Sequence, residues 1–136
     1  MARTEPPFTF RLDPDSGVPV YRQLIDQVLG GMAAGSLAPG AQLPTVRQVA
    51  VDLAINPNTV QRAYRELEIR GILETQQGTG TFVSRQKVQR DQVERRRQLG
   101  LIVGEFVARA GAAGFTVADL LEQLRDFTPD SNPKRR

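Results

Sequence analysis

Asn58, Gln61, Arg62 and Arg65 are the residues of this 136-residue chain whose types and spacing most directly suggest chemistry. On a helix of 3.6 residues per turn they lie opposite Val60, Ala63, Tyr64 and Leu67, whose i, i+3, i+4, i+7 spacing makes one apolar stripe. Arginine donates two hydrogen bonds to guanine, and asparagine or glutamine pairs with adenine, so these are the side chains that read base edges in a groove. Isolated residues of these types more often only solvate a helix. Here the amide and guanidinium groups crowd the N-terminal half, and Glu66 and Glu68 come after them. A helix that enters a groove by its N-terminus needs that polarity.

Other chemistries are poorly served. The chain has no Cys and no His, which removes disulfides, thiolate metal sites, cysteine nucleophiles and the commonest general base. A carboxylate-only metal site or a Lys, Tyr or Asp mechanism survives in principle, but no catalytic constellation is visible, and the expectation is no enzyme, no metal and no cofactor. The first residues lack the apolar run of a signal peptide, and no stretch approaches about 18 apolar residues, so a cytoplasmic protein with no membrane partner is expected. Hydrophobic residues make up 40% and charged residues 24%, an ordinary globular balance. The net charge of +3 divides unevenly, with −1 over residues 1–84 and +4 over 85–136. Bulk charge therefore makes no case for a nucleic-acid partner, and pattern must make it.

The elements that would position the polar face can be read locally. Phe8, Phe10 and Leu12 alternate with Thr9 and Arg11, which predicts a short strand. A first helix starts at Pro19, with Val20, Leu24 and Val28 on one stripe flanked by Tyr21, Ile25 and Met32; Gly35 and Pro39-Gly40 end it and turn the chain. Thr45 and Gln48 form a capping box for a short second helix ending near Ala54. Asn56 as N-cap and Pro57 as first helical residue open the third helix, and Gly71 stops it. Two strands, 72–76 and 81–83, then flank the tip Gln77-Gly78-Thr79-Gly80. Two helices joined by a turn of about three residues suggest helix-turn-helix, and the hairpin after them makes the winged arrangement.

Residues 18–24 (VPVYRQL), 37–47 (LAPGAQLPTVR), 56–68 (NPNTVQRAYRELE) and 78–83 (GTGTFV) together resemble the DNA-binding domain of the GntR family, in the form of its YtrA-like subfamily. The resemblance implies that Arg47 reaches DNA beside the recognition helix and that Asn56, Asn58, Thr59, Gln61, Arg62 and Arg65 belong to the DNA-facing surface. It implies further that Gly78, Thr79, Gly80 and Thr81 form a wing whose backbone approaches the minor groove or phosphates. The chain departs from many relatives by lacking Arg or Lys beside the wing glycines, where Gln76, Gln77 and Thr79 stand instead. Backbone N–H and threonine contacts would have more to do there. Many relatives outside the subfamily place Arg at the positions of Pro57 and Gln61, so their operators do not transfer.

Beyond the wing, Leu99, Ile102, Val103, Phe106, Val107 and Ala110 stripe a long fourth helix ended by Gly111 and Gly114. Thr116 and Asp119 cap a fifth helix, whose buried face would be Val117, Leu120, Leu121 and Leu124. Two helices have little to cover such stripes except a partner, and the subfamily resemblance likewise implies dimerisation; the alternative is that they fold back on the first helix. Arg95, Arg96 and Arg97 read as a solvated face, with phosphate contact as the rival reading.

The expected architecture is α+β. A winged helix-turn-helix of three helices and a β-hairpin (residues 1–84) precedes a two-helix dimerisation segment (85–127) and a disordered tail (128–136). The expected function is a homodimeric, sequence-specific regulator on double-stranded DNA that blocks polymerase at an inverted repeat; the resemblance loosely implies a repressor of a transporter operon. An architectural or partition DNA-binding protein and a protein-interaction module are the rivals. Nothing in the residues identifies an effector.

Overall fold

A computed structural model describes residues 8–85 and 91–128. Between Gln86 and Lys87 the chain divides into two compact units.

The first unit is built on α1 (Val20–Ala34), α2 (Val46–Leu53), α3 (Pro57–Ile69) and the antiparallel strands β1 (Leu73–Gln76) and β2 (Gly80–Val83). Its core is continuous. Leu24, Ile25 and Val28 of α1 meet Val49 and Ala50 of α2, Val60, Ala63 and Leu67 of α3, and Leu73 and Val83 of the hairpin, all buried in one cluster. Pro19 caps α1 from outside rather than occupying its first turn, and Gly35 closes the helix at φ +90°. The Thr45–Gln48 box forms in both directions, at 3.0 and 2.8 Å. Asn56 Oδ1 accepts from the Asn58 N–H at 2.8 Å. Gly71 takes the left-handed conformation, with φ +79°.

The strand expected at 8–12 does not form, although Phe10 is buried as the alternation required. The segment lies along α1, where side-chain amides do the work of a neighbouring strand. Gln27 accepts from the Arg11 N–H at 2.9 Å and donates to the Arg11 carbonyl at 2.6 Å, and Gln23 accepts from the Asp13 N–H at 2.9 Å. Gln23 and Gln27 stand one helical turn apart, so the backbone groups of Arg11 and Asp13 are satisfied without a ladder. Gly31 admits the segment: a Cβ there would lie 2.9 Å from the Phe8 ring.

The hairpin turn is tighter than expected, because Gly80 already pairs with Gln76 and only Gln77, Gly78 and Thr79 are left to turn the chain. Residues 40–43, outside both strands expected from the sequence, line the free edge of β2. The Leu43 N–H donates to the Thr81 carbonyl, the Val83 N–H to the Ala41 carbonyl and the Gly40 N–H to the Val83 carbonyl, each at 2.8 Å.

The second unit comprises α4 (Gln92–Ala112), α5 (Val117–Leu124) and a 3₁₀ turn at Arg125–Phe127. Gly111 lies inside α4 rather than ending it; Gly114, at φ +91°, makes the turn, and the Thr116–Asp119 box opens α5. The apolar face expected to be buried on α5 is largely exposed among the described residues. Leu121 and Leu124 are exposed and Leu120 is half-buried, while on α4 Leu99, Ile102, Val103 and Phe106 are exposed and Val107 is half-buried. Of the tail expected to be disordered, only Thr128 is among the described residues. No single helix is long and apolar enough to cross a membrane among the described residues.

Candidate nucleic-acid interface

The stripe on α3 faces inward as its spacing dictates, and this turns the opposite face outward. Val60, Ala63 and Leu67 have no exposed surface, whereas Asn58, Gln61, Arg62 and Arg65 are exposed and Thr59 is half-buried. Asn56 is exposed, but its carbonyl oxygen is committed to the α3 cap, leaving its NH₂ to solvent. Arg47 is an exposed residue in the first turn of α2, the helix that precedes α3.

Tyr64 fixes the angle between these helices. Its hydroxyl donates to the Pro44 carbonyl at 2.6 Å, tying α3 to the segment that leads into α2. Burial pushes its phenol pKa up, so the group stays a neutral donor. The sequence marked Tyr64 only as part of an apolar stripe; a buried tyrosine needs a partner for its O–H, and that requirement was the available signal.

The other end of α3 is tied to the wing. Thr75 Oγ1 hydrogen-bonds the Glu68 carboxylate, and the Thr75 and Thr81 hydroxyls stand 3.3 Å apart across the hairpin. Thr81 is thus partly engaged in the sheet, while Thr79 is exposed at the tip.

The two wing glycines differ. Gly78 has φ +79° with open space where a Cβ would point. At Gly80 a Cβ would sit 2.5 Å from Nε2 of Gln42, whose amide also donates to the Thr79 carbonyl at 3.2 Å. The missing side chain at Gly80 therefore makes room for Gln42, which braces the wing from the segment before α2. Gly80 also has φ +139°, a region nearly closed to other residues. Gly80→Ala is expected to destabilise the fold by about 1–3 kcal/mol. Gly78→Ala should cost less, on the order of 1 kcal/mol. Urea unfolding midpoints of the two variants would compare them directly, and equal losses would show that neither the backbone of Gly80 nor its contact with Gln42 constrains that position more than Gly78 is constrained.

The sequence marks Tyr21, on α1, as a flank of the first helix's stripe and as part of the 18–24 motif, with no role of its own. Its ring lies 3.7 Å from the Arg62 guanidinium carbon. Beside this stack, Val20, Tyr21, Asn56, Asn58, Thr59 and Arg62 line an open cleft of about 400 Å³. Among the described residues no three Asp or Glu side chains are placed to hold a metal ion.

Residues 20–83 match the family described as bacterial regulatory proteins, gntR family. The chain is 36% identical over 113 residues to the HTH-type transcriptional regulator YhcF of Bacillus subtilis, covering 83% of this chain and 93% of that protein. It is 41% identical over 120 residues to the HTH-type transcriptional regulator Rv1152 of Mycobacterium tuberculosis, covering 88% and 94% respectively. Among solved structures, YtrA from Sulfolobus acidocaldarius, a GntR-family transcription factor, superimposes with a TM-score of 0.53 at 31% identity, over 74% of this chain and 99% of that one. The fold, the outward polar face of α3 and these relatives agree: the chain belongs to the GntR family, is similar to its YtrA-type members, and is a DNA-binding transcription regulator.

Proposed function

We propose that the chain acts in the cytoplasm as a homodimeric repressor, each protomer placing α3 in the major groove of one half of an inverted repeat. The observation that carries this reading is the division of α3 into a fully buried stripe and an exposed face of Asn58, Gln61 and Arg65. In that arrangement Arg47 reaches the backbone or a base from α2, and the wing lies along the duplex with Thr79 and the backbone around Gly78 against it. A repeat so occupied is closed to polymerase.

Dimerisation is supported by the second unit. Leu99, Ile102, Val103, Phe106, Leu121 and Leu124 are between 45% and 60% exposed. Apolar surface this extensive on two adjacent helices marks a contact site, and a two-fold partner presents the same surface in return.

The test is selection of duplexes from a random library by the full-length protein, with its mass in solution taken by light scattering. A dimer that selects a palindrome supports the reading. Equal binding to scrambled DNA points to an architectural protein, no DNA binding to a protein-interaction module, and a monomer removes the dimer.

The basic run on α4 gives a separate expectation. Arg95, Arg96 and Arg97 are exposed, and Arg97 pairs with Glu94 at 3.2 Å, as on a solvated helix face. Each phosphate neutralised by an arginine adds about −0.9 to the slope of log affinity against log salt. Changing all three to Gln should leave that slope unchanged in a variant that still dimerises. A slope shallower by about one unit for each arginine that had reached a phosphate would put α4 on the DNA.

A further inference from the structure

Arg62 is an exposed cation on α3, yet it is drawn back over α1 by the Tyr21 ring. Among the described residues it has no hydrogen bond or ion pair, so this stack is the contact that fixes its guanidinium. The geometry has a chemical consequence. The five N–H bonds of a guanidinium radiate in its own plane, so a ring against one face leaves every donor free at the rim. A solvated arginine must give up rotamer freedom to bind an anion, whereas one already held on a ring gives up less.

The surroundings of that rim select the acceptor. The cleft beside the stack is lined by Val20, Tyr21, Asn56, Asn58, Thr59 and Arg62, with no carboxylate among them. The backbone N–H groups of Asn58 and Thr59 are already taken by Asn56, so the side chains supply the donors. A group that takes hydrogen bonds from amide and hydroxyl side chains and from one cation is an anionic oxygen cluster, which on DNA is a backbone phosphate. Base reading calls for projection off the outer face of α3; Tyr21 pulls Arg62 the other way, toward α1.

We infer that the Tyr21–Arg62 stack seats a DNA backbone phosphate in the cleft between α1 and α3, with Tyr21 as the positioning residue for Arg62. The inference rests on the proposed use of α3 on DNA and names what one of its arginines binds. Base reading then falls to other residues of the face, Gln61 and Arg65 among them.

The experiment compares full-length wild type with Tyr21→Leu, Tyr21→Phe, Arg62→Ala and the Tyr21→Leu/Arg62→Ala pair. The probes are the duplex the wild type selects and a scrambled duplex of equal length, at several salt concentrations. Cation–π contacts at exposed sites are worth about a two- to fivefold change in affinity per protomer. Tyr21→Leu is expected to weaken both duplexes by that factor, and Tyr21→Phe, which keeps the ring, to stay within about twofold of wild type. Arg62→Ala should lower the salt slope by about 0.9 per protomer on both duplexes. The double variant should bind no worse than Arg62→Ala alone, a coupling that a merely structural role for Tyr21 would not produce. Losses confined to the selected duplex would make Arg62 a base reader and overturn the inference, as would wild-type binding by Tyr21→Leu. A wild type that binds neither duplex removes the proposed function itself, and a variant that melts early is scored through Tyr21→Phe and Arg62→Ala.

Discussion

Ending the chain after Ser84 is expected to yield a folded monomer whose affinity for an inverted repeat is about 10²–10⁴-fold below that of the full-length protein. The fall comes from broken linkage between protomers, while the surface each presents to DNA stays intact. Among the described residues, the buried core residues all lie between Phe10 and Val83, so the winged unit keeps that core when α4 and α5 are removed. What disappears is the effective concentration with which one bound half-site delivers the second protomer. Light scattering, thermal unfolding and titration against the whole repeat and a single half-site make the test. Affinity for the half-site should barely change, so the loss should appear only on the repeat. A truncated protein that remains dimeric would place the interface in the winged unit, and one that fails to fold would show that α4 or α5 covers part of its core. Within the full chain, replacing Leu121 and Leu124 by charged residues should produce the same loss on the repeat.

The second large effect is expected at Arg47. It is exposed in the first turn of α2, and truncation to Ala leaves the core untouched. If the side chain reads a base as a bidentate pair, Arg47→Ala should cost about 1–3 kcal/mol of binding per protomer and relax discrimination at one base pair of each half-site. Gln61→Ala, in the middle of the exposed face of α3, should relax preference at its own position and leave much of the affinity. Titration of each variant against the selected duplex and its single-base variants would separate the two patterns. If both proteins bind and discriminate like wild type, α2 and α3 do not face the groove as proposed.

The amino-acid sequence determined the elements whose signals are local. The Thr45–Gln48 and Thr116–Asp119 boxes, the Asn56 cap and the left-handed Gly71 each depend on residues within a turn or two, and all are present in the structure. The stripe on α3 belongs with them, because helical period alone decides which side chains share a face. That stripe also set which residues of α3 would be exposed, so much of the candidate interface was legible before any tertiary contact was known.

Tertiary structure decided what depends on segments far apart in the chain meeting in space. Phe8–Leu12 alternates like a strand, but Gln27 of α1 takes both backbone groups of Arg11 and Gln23 those of Asp13 just beyond, and no property of residues 8–12 announces that. The reach of Gln42 to the wing, 37 residues on, gave Gly80 its second constraint, and the packing of α1 on α3 put Tyr21 under Arg62. The apolar stripes of α4 and α5 could be read as buried, but periodicity shows only that a face is apolar, never whether the same chain covers it. Among the described residues, much of the apolar surface of α4 and α5 is exposed. Periodicity is a property of neighbours along the backbone; which distant segment closes on which surface depends on the packing of the whole unit.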